Sequence, residues 1–253
     1  MHSPRLIPAL LLSDGRLVKT RGFKKPTYVG DPLNIIKIFN DKGVDELIVL
    51  DVDASKQGAE PDFSLVEQLA TQCAMPLCVG GGIRSLKQAH TMFRLGVEKI
   101  CVQSGALADA DLIGALTSEF GSQAIVASID VQKRRLGGYR LRQSAVGTTL
   151  RRDWVEFTKW VVSQGVGEIL LTSVDREGSM KGTDLELIRQ ASGLVDVPLI
   201  AHGGVGSLGH VSAALAAGAD AVAAGSFLVF RGPHRAVLIS YPGDVLHQGR
   251  IAD

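Results

Sequence analysis

Four aspartates stand where short apolar runs give way to polar sequence. Asp51 and Asp53 close the run from Glu46, Asp130 follows Ala124–Ile129, and Asp175 follows the run ending near Thr172. A carboxyl group at such a point can work as a general acid or base. Asp53 and Asp175 could equally cap loops, or pair with a neighbour such as Arg176. Two glycine pairs carry a second kind of chemistry. Gly81-Gly82 lies in Val79–Ser85 and Gly203-Gly204 in Ala201–Ser207, each followed by a serine. Further on come Gln103-Ser104-Gly105 and Ala224-Gly225-Ser226. Glycine lets backbone N–H groups approach an anion closely, and a following helix N-terminus favours negative charge. The alternative is that these glycines only make tight turns. Lys19, in Asp14–Lys19, is either an anion ligand or a solvated loop charge, and spacing does not decide between them.

These residues need elements to position them. The short runs Arg5–Leu12, Glu46–Val52, Leu77–Gly80, Lys99–Val102, Ala124–Asp130, Glu168–Thr172, Leu199–His202 and Ala221–Ala224 are rich in Val, Ile and Leu and mostly do not alternate. That is the pattern of parallel strands covered on both faces. Helix-like stretches separate them: Pro32–Lys42, Phe63–Gln72, Ser85–Leu95, Asp109–Phe120, Arg152–Gln164, Asp184–Ala191 and Ser207–Ala217. Eight strands alternating with helices, at about 32 residues per unit, predict a (β/α)8 TIM barrel in one domain over residues 1–253. A doubly wound sheet would be expected to carry its glycine fingerprint in the turn after the first strand, and no G-x-G-x-x-G follows Arg5–Leu12. In a barrel the aspartates and glycines fall at the C-terminal mouth, where active sites lie.

The chain also repeats itself. A shift of 122 residues carries Pro76-Leu77 onto Pro198-Leu199, Gly81-Gly82 onto Gly203-Gly204 and Ser85-Leu86 onto Ser207-Leu208. The same shift carries Gly96 onto Gly218, Ser104 onto Ser226, and Gly43, Glu46 and Asp53 onto Gly165, Glu168 and Asp175. The barrel is therefore read as two similar half-barrels. Two related anion corners on opposite sides would grip a ligand with a phosphate at each end.

Composition narrows the function. Apolar residues are 45% of the 253, enough for a large core. The 27 basic and 26 acidic side chains leave a net charge of +1, which argues against a general nucleic-acid binder. No run of about 18 apolar residues occurs, so no membrane-spanning helix is expected. Met1–Leu12 lacks a basic leader region and reads as a first strand, not a signal peptide. Three cysteines, Cys73, Cys78 and Cys101, point to a reducing cytoplasm and give no disulfide or metal framework. The histidines are scattered, and neither metal nor organic cofactor is implied. Trp154 and Trp160 read as packing on one helix.

With these residues assembled, the chain resembles the cyclase (HisF-type) subunit of imidazole glycerol phosphate synthase over nearly its full length. The matching segments are Arg5–Pro8, Asp14–Arg16, Val18-Lys19, Gly30–Pro32, Asp45–Leu47, Val79–Ile83, Phe120–Gln123, Gly167–Ser173 and Asp175-Arg176. The last long runs favour the cyclase over the similar isomerase of the same pathway. The resemblance implies a carbon–nitrogen lyase of histidine biosynthesis. Such an enzyme takes ammonia from a partner glutaminase and closes an imidazole ring on a bisphosphorylated ribonucleotide. It implies Asp130 as catalytic group. It implies substrate and phosphate contacts from Lys19, Asp51, Gly81, Gly82, Ser104, Thr172, Glu177, Gly203, Gly204, Gly225 and Ser226. It further implies an ammonia entrance ringed by Arg5, Glu46, Lys99 and Glu168 at the opposite face, and Glu98 as a docking contact to the glutaminase. Ordinary stabilising ion pairs are the alternative for that ring.

Several positions depart from the family pattern. Leu11 stands where the family has a second catalytic aspartate, on strand 1. Glu177 replaces an aspartate, Gln103-Ser104 an asparagine and threonine, and His202 a serine. Leu10–Leu12 and Tyr28–Pro32 resemble a branch associated with surface polysaccharide (lipopolysaccharide) genes. There the cyclase-like chain passes ammonia on for sugar amidation or amidination. The alternative expectation is thus an ammonia-accepting and channelling subunit. A sugar phosphate isomerase is disfavoured, because it too needs the strand 1 carboxylate.

Overall fold

The apolar runs become strands because each is buried on both sides. In the computed structural model, which describes residues 5–243, they form β1 (Arg5–Ser13), β2 (Leu47–Asp51), β3 (Leu77–Gly80), β4 (Lys99–Val102), β5 (Ile125–Lys133), β6 (Glu168–Ser173), β7 (Leu199–His202) and β8 (Ala221–Ala224). Each pairs in parallel with its neighbour in sequence. β1 pairs with β8, Arg5 opposite Ala221, and this closes the (β/α)8 barrel. The helices between them are α1 (Pro32–Asp41), α2 (Phe63–Gln72), α3 (Leu86–Arg94), α4 (Leu112–Phe120), α5 (Trp154–Ser163), α6 (Leu185–Ser192) and α7 (Leu208–Ala216). Residues 1–4 and 244–253, the ends of the expected 1–253 domain and the start of the Met1–Leu12 reading, lie outside the described residues.

Side chains alternate along each strand, so parity assigns them to bore or outer layer. Ile7, Ala9, Ile48, Cys78, Cys101, Val126, Leu170 and Ile200 fill the bore with Ala221 and Ala223. Their neighbours, such as Leu6, Leu47, Ile100, Ile125 and Leu171, pack outward under the helices with Phe39, Met92 and Phe157. The same parity continues to both ends. On β1 it runs Arg5, Ile7, Ala9, Leu11. Helix starts follow side-chain capping: Asp31 accepts from Asn34 N, Ser85 from Gln88 N, and its repeat mate Ser207 from His210 N.

The structure corrects the sequence reading in three places. Asp130 does not end its strand, since β5 continues to Lys133 and pairs antiparallel with Tyr139–Gln143, Val131 opposite Leu141. The polar sequence that follows Asp130 is therefore a hairpin arm, not a loop. Lys19 likewise lies in a strand, Arg16–Arg21, folded back on β1 with Leu11 opposite Val18 and paired to Lys24–Gly30. Asp14 and Gly15 both take positive φ, 51° and 66°, as a two-residue hairpin turn requires. Short strands with polar alternate residues gave no apolar run to detect. The helix expected over Asp109–Phe120 begins only at Leu112, as α4, and a separate five-residue helix, Ser104–Ala108, precedes it. Among the described residues no helix is long and apolar enough to cross a membrane. Trp154 and Trp160 do share α5 and pack there, Trp154 edge-on to Tyr139 and Trp160 against Phe157.

Candidate active site

The strand ends open on a mouth cavity of about 320 Å³. Its walls include Leu11, Leu50, Asp51, Gly81, Gly82, Gln103, Ser104, Asp130, Arg142, Ser144, Thr172 and His202. A second, much smaller space of about 10 Å³ is walled by Lys19, Glu177, Gly178, Gly203, Gly204, Gly225 and Ser226. Leu11 and His202 line both. Every residue expected to contact substrate therefore falls in one of two adjoining spaces, and they divide by half-barrel. The exceptions are Lys19, which crosses from the β1 hairpin to the β7–β8 side, and Thr172, which lies on β6 but lines the larger space.

Asp130 is the buried carboxyl of the mouth, 6% exposed. It accepts a short hydrogen bond from Ser144 Oγ and a longer one, 3.5 Å, from Ser128 Oγ. Burial pushes its pKa up, and the hydroxyl hydrogen bonds, Ser144 first, hold part of that rise back. A carboxyl raised in this way can change charge in a catalytic cycle. Ser144 sits beyond the Tyr139–Gln143 arm, so the sequence reading missed it. The alternation of buried Tyr139 and Leu141 with exposed Arg140 was the available signal.

Thr172 lies in register with Asp130 on one side and with His202 on the other. Its Oγ1 and His202 Nδ1 share a hydrogen bond of 3.2 Å. Burial, reinforced by the charge of Lys19, drives the His202 pKa down to about 4, so the ring is neutral near pH 7. Lys19 is 4% exposed, which eliminates the solvated-loop alternative. Its Nζ donates to Ala9 O. Burial lowers its pKa to about 8, against the opposing charge of Glu177. Leu11 sits at the top of the bore, 4% exposed, and leaves that position without a proton donor or acceptor.

The remaining carboxylates tie loops. Asp51 Oδ1 accepts from Asp53 N at 2.9 Å and Ala54 N at 3.0 Å. Asp53 accepts from Ser13 Oγ at 2.5 Å, and Asp175 from Lys133 N at 2.6 Å. Among the described residues no ion pair joins Asp175 to Arg176. The glycine pairs are needed by the turns themselves. Gly81 and Gly203 have φ of 111° and 99°, and a Cβ on each would come within 2.3 Å of Asp51 O and 2.7 Å of Ser173 O. Asp51 and Ser173 are themselves repeat mates. At Gly225 the constraint is different: a Cβ would lie 2.5 Å from Lys19 Nζ. Among the described residues, three buried polar atoms of the mouth have no hydrogen-bond partner: Thr20 Oγ1, Gln103 Nε2 and Arg142 Nε. Such atoms are costly unless a ligand or water completes them.

At the opposite face the four charges close a ring. Arg5 bonds Glu46 at 2.6 Å and Glu168 at 2.9 Å; Lys99 bonds Glu46 at 2.9 Å and Glu168 at 3.1 Å. Burial opposes charge on Arg5 and Lys99, but the two glutamates outweigh it and raise both pKa values. Glu98 is next to the ring and exposed. Its Oε2 accepts from Leu77 N at 2.7 Å. Its repeat mate Asp220 does the same for Leu199 N at 2.8 Å. The Glu98 carboxylate thus fixes the start of β3.

Comparison with known proteins follows the same outline. A family model described as histidine biosynthesis protein matches residues 5–233. The Pseudomonas aeruginosa protein named "Putative imidazole glycerol phosphate synthase subunit hisF2" is 48% identical over 239 residues, covering 94% of this chain and 95% of that protein. A Leptospira borgpetersenii protein named "Putative imidazole glycerol phosphate synthase subunit HisF" is 45% identical over 244 residues, 96% of each chain. The "Imidazole glycerol phosphate synthase subunit HisF" of Pseudarthrobacter chlorophenolicus is 38% identical over 250 residues, 96% of this chain and 93% of that one.

Proposed function

Because the chain belongs to the histidine biosynthesis protein family, as a HisF-type member, we propose that it is the cyclase subunit of an imidazole glycerol phosphate synthase. The observation that supports this most is the division of the mouth into two glycine-lined spaces with Asp130 on the wall of the larger one. A bisphosphorylated ribonucleotide would place one phosphate on Gly81, Gly82 and Ser104 and the other on Gly203, Gly204, Gly225 and Ser226. Lys19 contributes charge at the second corner, and Asp51, Thr172 and Glu177 shape the walls. Ammonia condenses with the substrate with loss of water, the imidazole ring closes, and a carbon–nitrogen bond breaks to release the aminoimidazole carboxamide ribonucleotide beside imidazole glycerol phosphate, which makes the reaction that of a lyase. Asp130 is the group that gives and takes the proton, because it is the buried carboxyl on the mouth wall and burial raises its pKa.

The nitrogen source in this reading is a separate glutaminase docked beneath the Arg5–Glu46–Lys99–Glu168 ring. Ammonia would pass that ring when one ion pair opens. Glu98, exposed beside it, is a candidate contact for the partner. The free thiols of Cys73, Cys78 and Cys101 support a reducing compartment such as the cytoplasm.

Leu11 supports a second reading, in which the chain accepts ammonia and hands it on without closing the ring. The purified chain, given ammonium salt and the bisphosphorylated ribonucleotide, separates the two. Formation of imidazole glycerol phosphate, detected by mass spectrometry, is the expected outcome. Turnover that is absent from the native chain and appears only in Leu11→Asp overturns the cyclase reading and leaves the second.

A further inference from the structure

The β7–β8 corner has a cation that neither the sequence reading nor the relatives' names assign. Just after β8, the chain forms a small hairpin, Phe230–Arg231 against Ala236–Val237. Arg235, in its turn, takes a φ of 51°, a conformation L side chains rarely adopt. Its backbone N donates to Gly232 O at 3.1 Å. The guanidinium carbon sits 4.5 Å from the centre of the Phe230 ring. From there Nη1 donates to Gly178 O at 3.2 Å and Nη2 to Ser226 Oγ at 3.3 Å. Gly178 and Ser226 both belong to the wall of the small space. The arginine therefore bridges the β6 loop and the β8 turn across the edge of that corner.

Charge and volume give this position its meaning. Lys19 is buried in the corner, spends a proton on Ala9 O, and faces the carboxylate of Glu177. Lysine and glutamate together bring little net charge to an incoming anion. A phosphate monoester carries a charge of about −1.5 to −2 near neutrality, and Glu177 alone would repel it. A second cation is required, and Arg235 supplies it. The space of about 10 Å³ holds roughly one water-sized centre, so a phosphate needs one wall to move. Lys19 is fixed by burial; Arg235 is half-exposed and held by neutral acceptors. A guanidinium bonds more strongly to phosphate than to a carbonyl and a hydroxyl, and its planar fork matches two phosphate oxygens.

We propose that Arg235 is a ligand-binding residue of the β7–β8 corner. It leaves Ser226 Oγ and Gly178 O to close, fork-first, over the terminal phosphate of a phosphate monoester, and frees the Ser226 hydroxyl to donate to the same group. This deepens the proposed function, since it rests on that corner holding one end of the substrate.

The test is calorimetric titration of the full chain with inorganic phosphate and with glycerol 3-phosphate. Arg235→Met is expected to weaken binding of both by roughly 10- to 100-fold, and Arg235→Lys by an intermediate factor. Arg231→Met, which removes a guanidinium bonded to Ser240 Oγ on the same hairpin, leaves binding unchanged. In the native chain, the Arg235 Nε–H resonance shifts on addition of phosphate, a readout that needs no variant. Binding by Arg235→Met within twofold of native, or a resonance that does not move at saturation, overturns the assignment while the corner itself stands. Failure of the native chain to bind either probe overturns both the assignment and the two-corner reading beneath it.

Discussion

Asp130 and His202 are one strand apart on either side of Thr172, and burial acts on them in the same direction, toward the neutral form. For Asp130 that means a carboxyl whose pKa is raised by burial. Asp130→Asn keeps the shape and removes the acid; turnover with ammonia is expected to fall by about 10²–10⁴-fold, while phosphate binding at both corners persists. For His202 the consequence is a dependence of stability on pH. Its folded pKa is about 4, against about 6.5 for an unfolded histidine. Between those values the unfolded chain binds a proton that the folded chain refuses. Stability therefore falls as pH drops from 6.5 toward 4, by up to about 1.4 kcal/mol per pH unit. Urea denaturation of the native chain and of His202→Gln at pH 7, 6 and 5 measures it. The variant is expected to lose that part of the slope, and parallel curves would refute the buried neutral histidine.

At the level of elements, the two strand–turn–helix units after β3 and β7 share more than residue types. Their glycines, caps and carbonyl contacts recur at a constant shift. Turn geometry, not ligand contact, is what first forbids a side chain there. At Gly204 a Cβ would come within 2.1 Å of Gly182 O, a backbone atom that cannot step aside cheaply. Gly204→Ala is expected to cost about 2 kcal/mol or more of folding stability and to distort the second corner. The thermal midpoint and phosphate affinity of that variant should fall together. The β5 hairpin is an element of a different kind. It carries Ser144 to Asp130 and Arg142 to the mouth. Ser144→Ala removes the hydrogen bond that does most to restrain the Asp130 pKa, so the acid limb of a pH–rate profile is expected to move to higher pH. An unmoved limb would show that Ser144 does not set that proton equilibrium.

For the whole molecule, the question is how two faces separated by a packed bore act together. The bore between ring and mouth is filled by residues such as Ile7, Ile48, Val126, Leu170 and Ile200, all nearly free of solvent. A small neutral molecule can cross it only if side chains give way, whereas an ion would have to shed its hydration. The ring of Arg5, Glu46, Lys99 and Glu168 fastens four strands at the bottom. Removing one member leaves a buried carboxylate short of a partner. Lys99→Met is expected to destabilise the fold by about 3 kcal/mol, and to leave ammonia-dependent chemistry at the mouth intact. With the glutaminase present, the same variant should alter glutamine-dependent turnover. A chain whose denaturation midpoint does not change would return the ring to ordinary surface pairing.

Much of this was legible before any coordinates. Strand and helix alternation, the half-barrel repeat, the glycine turns and the placement of Asp51 at a strand end are local patterns. They follow from burial on both faces, helical capping and steric freedom at a few turns, all of which a single segment expresses. Other features waited for the closed barrel. Lys19 became a buried charge only when its hairpin folded across the mouth. Arg5 met Glu168, 163 residues away, only when β1 and β6 took their places around one axis. Ser144 and Arg235 reached their positions through hairpins whose polar alternation resembles loop sequence. Local propensity is written along the chain, but register, closure and the pKa values that depend on them arise only when distant segments exclude water from one another.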